Sequence, residues 1–157
     1  MCDDGLMDDL VAFLAARLDE DEAAAYKAAG GLYRGAGGRF GGRPHWSALG
    51  HGIVADAADL DRGVVDLGPC IDDDALAEHI VRHDPARVLR EIEAGRARLA
   101  YYQDAQARLD RIVTHPGEVS SGDEGMWLGK TAAARMACRH DAAIWGDHPD
   151  YRPEWKP

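Results

Sequence analysis

The stretch "HIVRHDPARVLREIEAGRARLAYYQDAQARLDRIV", residues 79–113, constrains the fold of this chain more than any other. Asp84 and Pro85 stand near its start. The residue before a proline is pushed out of the α region, so a helix arriving from the N-terminal side has to end near His83. Asp84 carries the short acceptor side chain of an N-cap, and Pro85 at the first helical position loses no hydrogen bond. Beyond it Val88, Ile92, Leu99, Tyr102, Leu109 and Val113, with Gly95 and Gln106 between them, step alternately by four and three. That is the spacing of a heptad seam. A helix over 85–113 is predicted, roughly 43 Å long at about 1.5 Å per residue. So long a rod exceeds what a small domain needs, and its seam is expected to pair with the first helix or with a second copy, as a homodimer.

The other elements are read around this rod. "LMDDLVAFLAARLDEDEAAAYKAA" predicts a first helix over about 7–28, with Leu10, Phe13, Leu14 and Leu18 on one face and Gly30-Gly31 as its stop. Residues 30–44 are too rich in glycine for regular structure and read as a flexible loop. Short β-type runs at about 45–67 suggest a small hairpin or meander, with Ile53, Val54, Val64 and Val65 turned inward. "IDDDALAEHIVR" reads as a short helix over 72–82, its acids at the positive end of the dipole. Residues 114–128 read as a loop. "KTAAARMACRHDAAIW" is the last helix, with Met136, Ala137, Ile144 and Trp145 as its buried positions. Residues 146–157 hold three prolines and are expected to form an extended tail anchored by Tyr151 and Trp155. The fold expected is mainly α with a minor β part, a single domain over 1–157.

Composition narrows the function classes. A formal net charge of −10 argues against a nucleic-acid-binding surface spread over the whole molecule, which needs clustered Lys and Arg. No apolar run approaches the roughly 20 residues of a membrane span. The acidic start "MCDDGLMDDL" lacks the basic region of a signal peptide, and a cytoplasmic location is expected. Cys2, Cys70 and Cys138 are odd in number, scattered and outside any CxxC, which suits reduced thiols in a reducing compartment. Arginine outnumbers lysine fifteen to three, a bias that points to a GC-rich genome.

Three stretches carry a resemblance: "DDLVAFLAARLDEDE", "HIVRHDPARVLREIEAGRARL" and "DHPDYRPEW". In that order and separation they resemble a family of uncharacterised small proteins from actinobacteria and their phages, known only as a domain of unknown function. The resemblance covers both ends and the middle, about half the chain, and implies no activity. Members of that family commonly hold additional Cys and His between the long helix and the tail, which implies a metal in some of them. Here "THPGEVSSGDEGMWLGK" has one histidine and no cysteine, and "YRGAGGRFGGRPHW" looks like an expanded form of a shorter Pro-Trp-His segment.

Candidate chemistry is sparse. His79 and His83 stand four apart, so on a continuous helix both imidazoles share a face, a spacing that suits zinc. A third ligand would come from His140, Cys138, Asp141 or His148. The plainer reading is a helix junction, with His83 just before the cap. Glu78 lies on the wrong side of His79 for the general base of an HExxH site. Arg-His-Asp occurs at 82–84 and 139–141, a neighbour pair able to orient an imidazole, yet no nucleophile is placed beside either. "DEDE" at 19–22 with Glu91 and Glu93 is an incomplete version of the carboxylate pairs that hold magnesium in helical pyrophosphohydrolases. Arg34, Arg39 and Arg43, among glycines and beside Trp46, form a short tract of the kind that binds RNA or single strands. With no complete catalytic set legible, the chain reads as a non-enzymatic accessory protein without a cofactor. On this reading it binds a protein partner, or itself, through its long helix.

Overall fold

The computed structural model describes residues 4–32, 46–49, 52–55, 65–66, 74–115 and 120–157. The fold is mainly helical. Helix α1 (Asp4–Leu32) is followed by three short strands, β1 (Trp46–Leu49), β2 (Gly52–Ala55) and β3 (Val65–Asp66). They pair antiparallel in the order β1-β2-β3, Trp46 opposite Ala55 and Ile53 opposite Val65. Helices α2 (Asp74–Arg82), α3 (Pro85–Thr114) and α4 (Ser121–Ala142) follow, and single 3-10 turns stand at Ala143–Trp145 and Pro153–Trp155. Among the described residues no helix is long and apolar enough to cross a membrane. The chain divides into two compact units, Glu20–Ile92 and Met1–Asp19 with Glu93–Pro157.

Two expected boundaries need correction. Gly30-Gly31 do not stop α1, which runs on to Leu32; glycine inside a helix costs about 1 kcal/mol, and a long preceding helix can bear that. Residues 33–44 of the expected loop lie outside the described residues. The loop expected over 114–128 is cut short because α4 begins at Ser121. Ser120 caps it, its hydroxyl accepting from the Asp123 amide at 3.3 Å, and Asp123 and Glu124 fill the first turn, where the dipole favours acid. Gly122, Gly125 and Gly129 had masked this start.

In the Glu20–Ile92 unit the helix junction is built around Asp84. It is 6% exposed, and its Oδ1 accepts from the Arg87 amide at 2.6 Å while its carbonyl accepts from Val88 at 3.0 Å. Asp84 is therefore the N-cap and Pro85 the first residue of α3, as the Asp-Pro pair predicts. Arg87 ties the junction further, donating to the Arg82 carbonyl and to Glu91. Ala25, Ala86, Leu89 and Ile92 are the buried apolar residues described in this unit.

The second unit holds the hydrophobic core cluster of the described residues. Met7, Leu10, Phe13 and Leu14 of α1 meet Leu99 and Tyr102 of α3, Ala134, Cys138 and Ala142 of α4, and Trp155. Burial pushes the Cys138 thiol up to about 11. An α1–α3 approach is set at Gly95, where an added Cβ would lie 3.0 Å from Leu18 Cδ2; glycine is the residue that allows that distance. Arg96 bridges to Asp19 beside it at 2.6 Å. Helix α4 runs antiparallel to α3: Arg98 meets Asp141, Tyr102 meets Arg135, and Arg108 lies over Trp127.

The buried stripe of α3 departs from a fixed heptad seam. Past Tyr102 it follows Ala105 and Ile112, while Val113 is 63% exposed. At about 100° per residue, Ile112 lies roughly 140° around the helix from Leu99. The turn has a cause in the packing. The first turns of α1 reach α3 near Tyr102, where Asp8 acts on the phenol, and past that point α4 lies alongside α3, with Arg108 over the Trp127 ring.

The last residues are not an extended tail. A succession of turns, His148 amide to Trp145 carbonyl and Tyr151 amide to His148 carbonyl, leads into the final 3-10 turn. Pro153 opens that turn at a position where a missing N–H costs nothing. The prolines exclude α-helix but not this tighter form.

Candidate interaction surface

The tail lies antiparallel along α1. Arg17 meets His148, Arg152 bridges to Asp9 at 2.6 Å, and Trp155 Nε1 donates to the Leu6 carbonyl at 3.2 Å. Phe13 is the hub, its ring 5.7 Å from His148, 6.2 Å from Tyr151 and 5.0 Å from Trp155. Between tail and helix is a cavity of about 430 Å³ lined by Asp9, Phe13, Arg17, Tyr151, Arg152 and Trp155. Its two arginines and one of its acids are engaged in the contacts just named, and its floor is aromatic. Such a seam locks a segment in place by packing large rings together, with the Trp155 indole N–H satisfied by the Leu6 carbonyl.

Helix α4 offers a different surface. Thr131, Ala134, Cys138 and Ala142 face the core. On the opposite side Gly122, Met126, Gly129, Ala133, Met136 and His140 are all exposed. They step by four and three, so they form one stripe along the helix. Met126 and Met136 leave 45% and 43% of their surface in solvent; off the stripe, Leu128 and, past the helix end, Ile144 are exposed at 59% and 70%. A Cβ added at Gly125 or Gly129 would meet nothing within 4 Å. Glycine in a helix interior costs roughly 0.5–1 kcal/mol against alanine, and packing among the described residues requires neither. Charge is segregated along the same helix, with Asp123 and Glu124 in its first turn and Arg139 and His140 in its last.

Next to the stripe the α3–α4 pair is closed by ionic and aromatic contacts. Arg98 donates twice to Asp141, at 2.7 and 3.0 Å, and this pairing raises the Arg98 pKa. Arg108 and Lys130 lie over Trp127, 4.9 and 4.3 Å from its ring centre. Burial raises the Tyr102 phenol above its ordinary value, with Arg135 pulling the other way.

The structure distributes the expected site residues unevenly. Of the α3 seam, Ile92, Leu99 and Tyr102 are buried, Val88 and Leu109 are half-buried, and Val113 points to solvent. Leu99 and Tyr102 belong to the chain's own core and present no face to a partner. His79 and His83 are exposed and adjacent, with ring centres 4.8 Å apart. His140 is exposed on α4, in the other unit. Among the described residues no group of three or more His, Cys, Asp and Glu is arranged to hold a metal ion. The aspartates of both Arg-His-Asp triplets are engaged elsewhere, Asp84 as a cap and Asp141 with Arg98. Asp19 of the acidic run pairs with Arg96. Arg34, Arg39 and Arg43 lie outside the described residues, as does the side chain of Trp46. Of the tail anchors, Trp155 is 2% exposed and Tyr151 half-buried against the core.

The sequence reading missed the α4 stripe by one phase and one boundary. It assigned Met136 and Ile144 to the core, where the structure puts Ala134, Cys138 and Ala142 instead. The available signal was Ser120 followed three residues later by Asp123, an N-cap signature that starts the helix before its glycines.

A model of a family of unknown function, DUF6221, matches residues 7–157. The chain belongs to this family. The DUF6221 match takes in α1 from Met7, the strands, α2 to α4 and the tail with Trp155. No curated protein and no solved structure gives a significant match.

Proposed function

We propose that this DUF6221 protein is a non-enzymatic, cytosolic accessory protein of an actinobacterium or one of its phages, binding a protein partner through helical surface. The excess of arginine over lysine supports the source. One observation carries the function: a helix whose outward face is lined by methionine, alanine and glycine, opposite a face that already serves the core. Exposed apolar surface of this kind marks interaction sites, and methionine adapts to irregular partners. The finer points of the fold belong to the same reading: residues 45–67 as a small hairpin or meander, and α3 with its neighbours as a short coiled-coil-like bundle. A photo-crosslinking residue at position 136, expressed in the producing cell, should give protein adducts that the same residue at exposed Arg111 does not. Equal labelling at both positions, or none at 136, would refute the reading.

A second reading rests on His79 and His83. Two neighbouring exposed imidazoles are two donors for zinc, with further ligands to come from outside the pair. It predicts bound zinc in purified protein that is lost in the His79→Ala/His83→Ala variant; metal-free protein that takes up no zinc on titration would remove it.

A further inference from the structure

We infer that the outward face of α4 is a self-association surface on which two copies of this chain pair antiparallel. The inference rests on the interaction reading above and names the partner as a second copy.

Register is the first argument. The stripe Gly122, Met126, Gly129, Ala133, Met136, His140 is nearly symmetric about Thr131. Turned antiparallel about that point, two such helices stack Gly122 on His140, Met126 on Met136 and Gly129 on Ala133, each layer occurring twice. The small residues meet at the centre and let the backbones approach, while the methionines close over them on both sides. Among the described residues nothing lies within 4 Å of a Cβ added at Gly129, so the small residue there leaves room for a facing backbone.

Charge is the second argument and selects the direction. Antiparallel pairing brings the acidic first turn of one copy, Asp123 and Glu124, to the end of the other copy that carries Arg139, where Asp141 is already engaged by Arg98, and opposes the two helix dipoles. Parallel pairing would set acid on acid and base on base. Lys130, near the centre, is drawn aside over Trp127. The stripe spans about 27 Å from Gly122 to His140, which lies at the small end of specific interfaces. The dimer is therefore expected to be concentration-dependent.

The experiment uses the full chain. Light scattering and sedimentation equilibrium should show the mass rising from one chain to two with concentration. Ala133→Arg, on the exposed face, should weaken association at least tenfold while leaving the circular dichroism and melting of dilute protein unchanged. Should that variant fail to fold, Gly129→Ala supplies the test: it strengthens the helix yet should weaken association. Register is read in a Cys2→Ser/Cys70→Ser background, where a mixture of Gly129→Cys and Ala133→Cys chains should form an inter-chain disulfide faster than either alone. A single-chain mass at every concentration, a dimer indifferent to both substitutions, or fastest cross-linking by Ala133→Cys alone would overturn the inference. If a strict monomer still gives protein adducts at position 136, self-association falls and the interaction reading stands. If it gives none, both fall.

Discussion

Replacing Trp155 with alanine should unlock the C-terminal segment from α1, and its magnitude follows from the contacts. The side chain is 2% exposed, lies 5.0 Å from the Phe13 ring and 5.8 Å from Tyr151, and donates to the Leu6 carbonyl. A buried tryptophan removes roughly 200 Å² from water, or about 5 kcal/mol at ~25 cal/mol per Å². Truncations of buried Phe and Trp to Ala cost about 3–5 kcal/mol in practice, and the adjoining cavity gives the site room to relax. A loss of about 3–4 kcal/mol is expected, which for a chain of this size lowers the melting temperature by roughly 10 °C. Trp155→Phe keeps most of the ring packing and removes the Nε1 donor, so about 1–2 kcal/mol should be lost. Urea denaturation followed by circular dichroism at 222 nm separates the two, and avoids the signals of the other tryptophans. A Trp155→Ala variant within ~0.5 kcal/mol of the parent, the usual range for surface changes, would refute the account of the tail.

Other substitutions probe other parts. Asp84→Ala should cost about 1 kcal/mol, more than half of it restored by Asp84→Asn, because both Asp and Asn cap a helix; equal losses in chemical denaturation would show that Asp84 acts through charge alone. Cys138 should resist alkylation in the folded state, and its raised pKa has a pH consequence. Below about pH 9 the thiol is protonated in both states and adds no pH dependence. Between about 9 and 11 the unfolded chain releases a proton that the folded chain retains, so stability falls as pH rises, by on the order of 2 kcal/mol. Stability curves of the parent and Cys138→Ala should diverge only in that window, and parallel curves would contradict the burial argument. A double-mutant cycle on Arg98 and Asp141 should give a coupling of about 0.5–1 kcal/mol, since the pair is bidentate but open to solvent; zero coupling would mean that it does not help hold α3 to α4.

What was legible in the sequence was what local chemistry decides. Asp84-Pro85 marked the junction because a cap and a fixed φ act within four residues. The face of α1 bearing Leu10, Phe13, Leu14 and Leu18 was legible because one neighbour-facing direction persists along it. The α3 stripe was legible only to Tyr102. Beyond it the neighbours change, and a period read from residue type follows Val113 where packing follows Ile112. Glycines hid the start of α4, since their statistical message is loop although a Ser120 cap and good packing at Ala134 and Cys138 outweigh it. The α4 stripe escaped for a related reason: methionine and alanine do not reveal whether they face the core or a partner.

The central claim is that α3 turns its apolar stripe into the chain's own core, leaving α4 to present the outward apolar face. Alkylation rates of Ile112→Cys and Val113→Cys, each in a Cys2→Ser/Cys70→Ser background, test it between adjacent residues. The thiol at 113 should react as a free one does, and the thiol at 112 should be slowed by roughly tenfold or more, protected until the helix opens. A protected thiol at 113 beside a freely reacting one at 112 would mean that the heptad seam runs straight, and would contradict the claim.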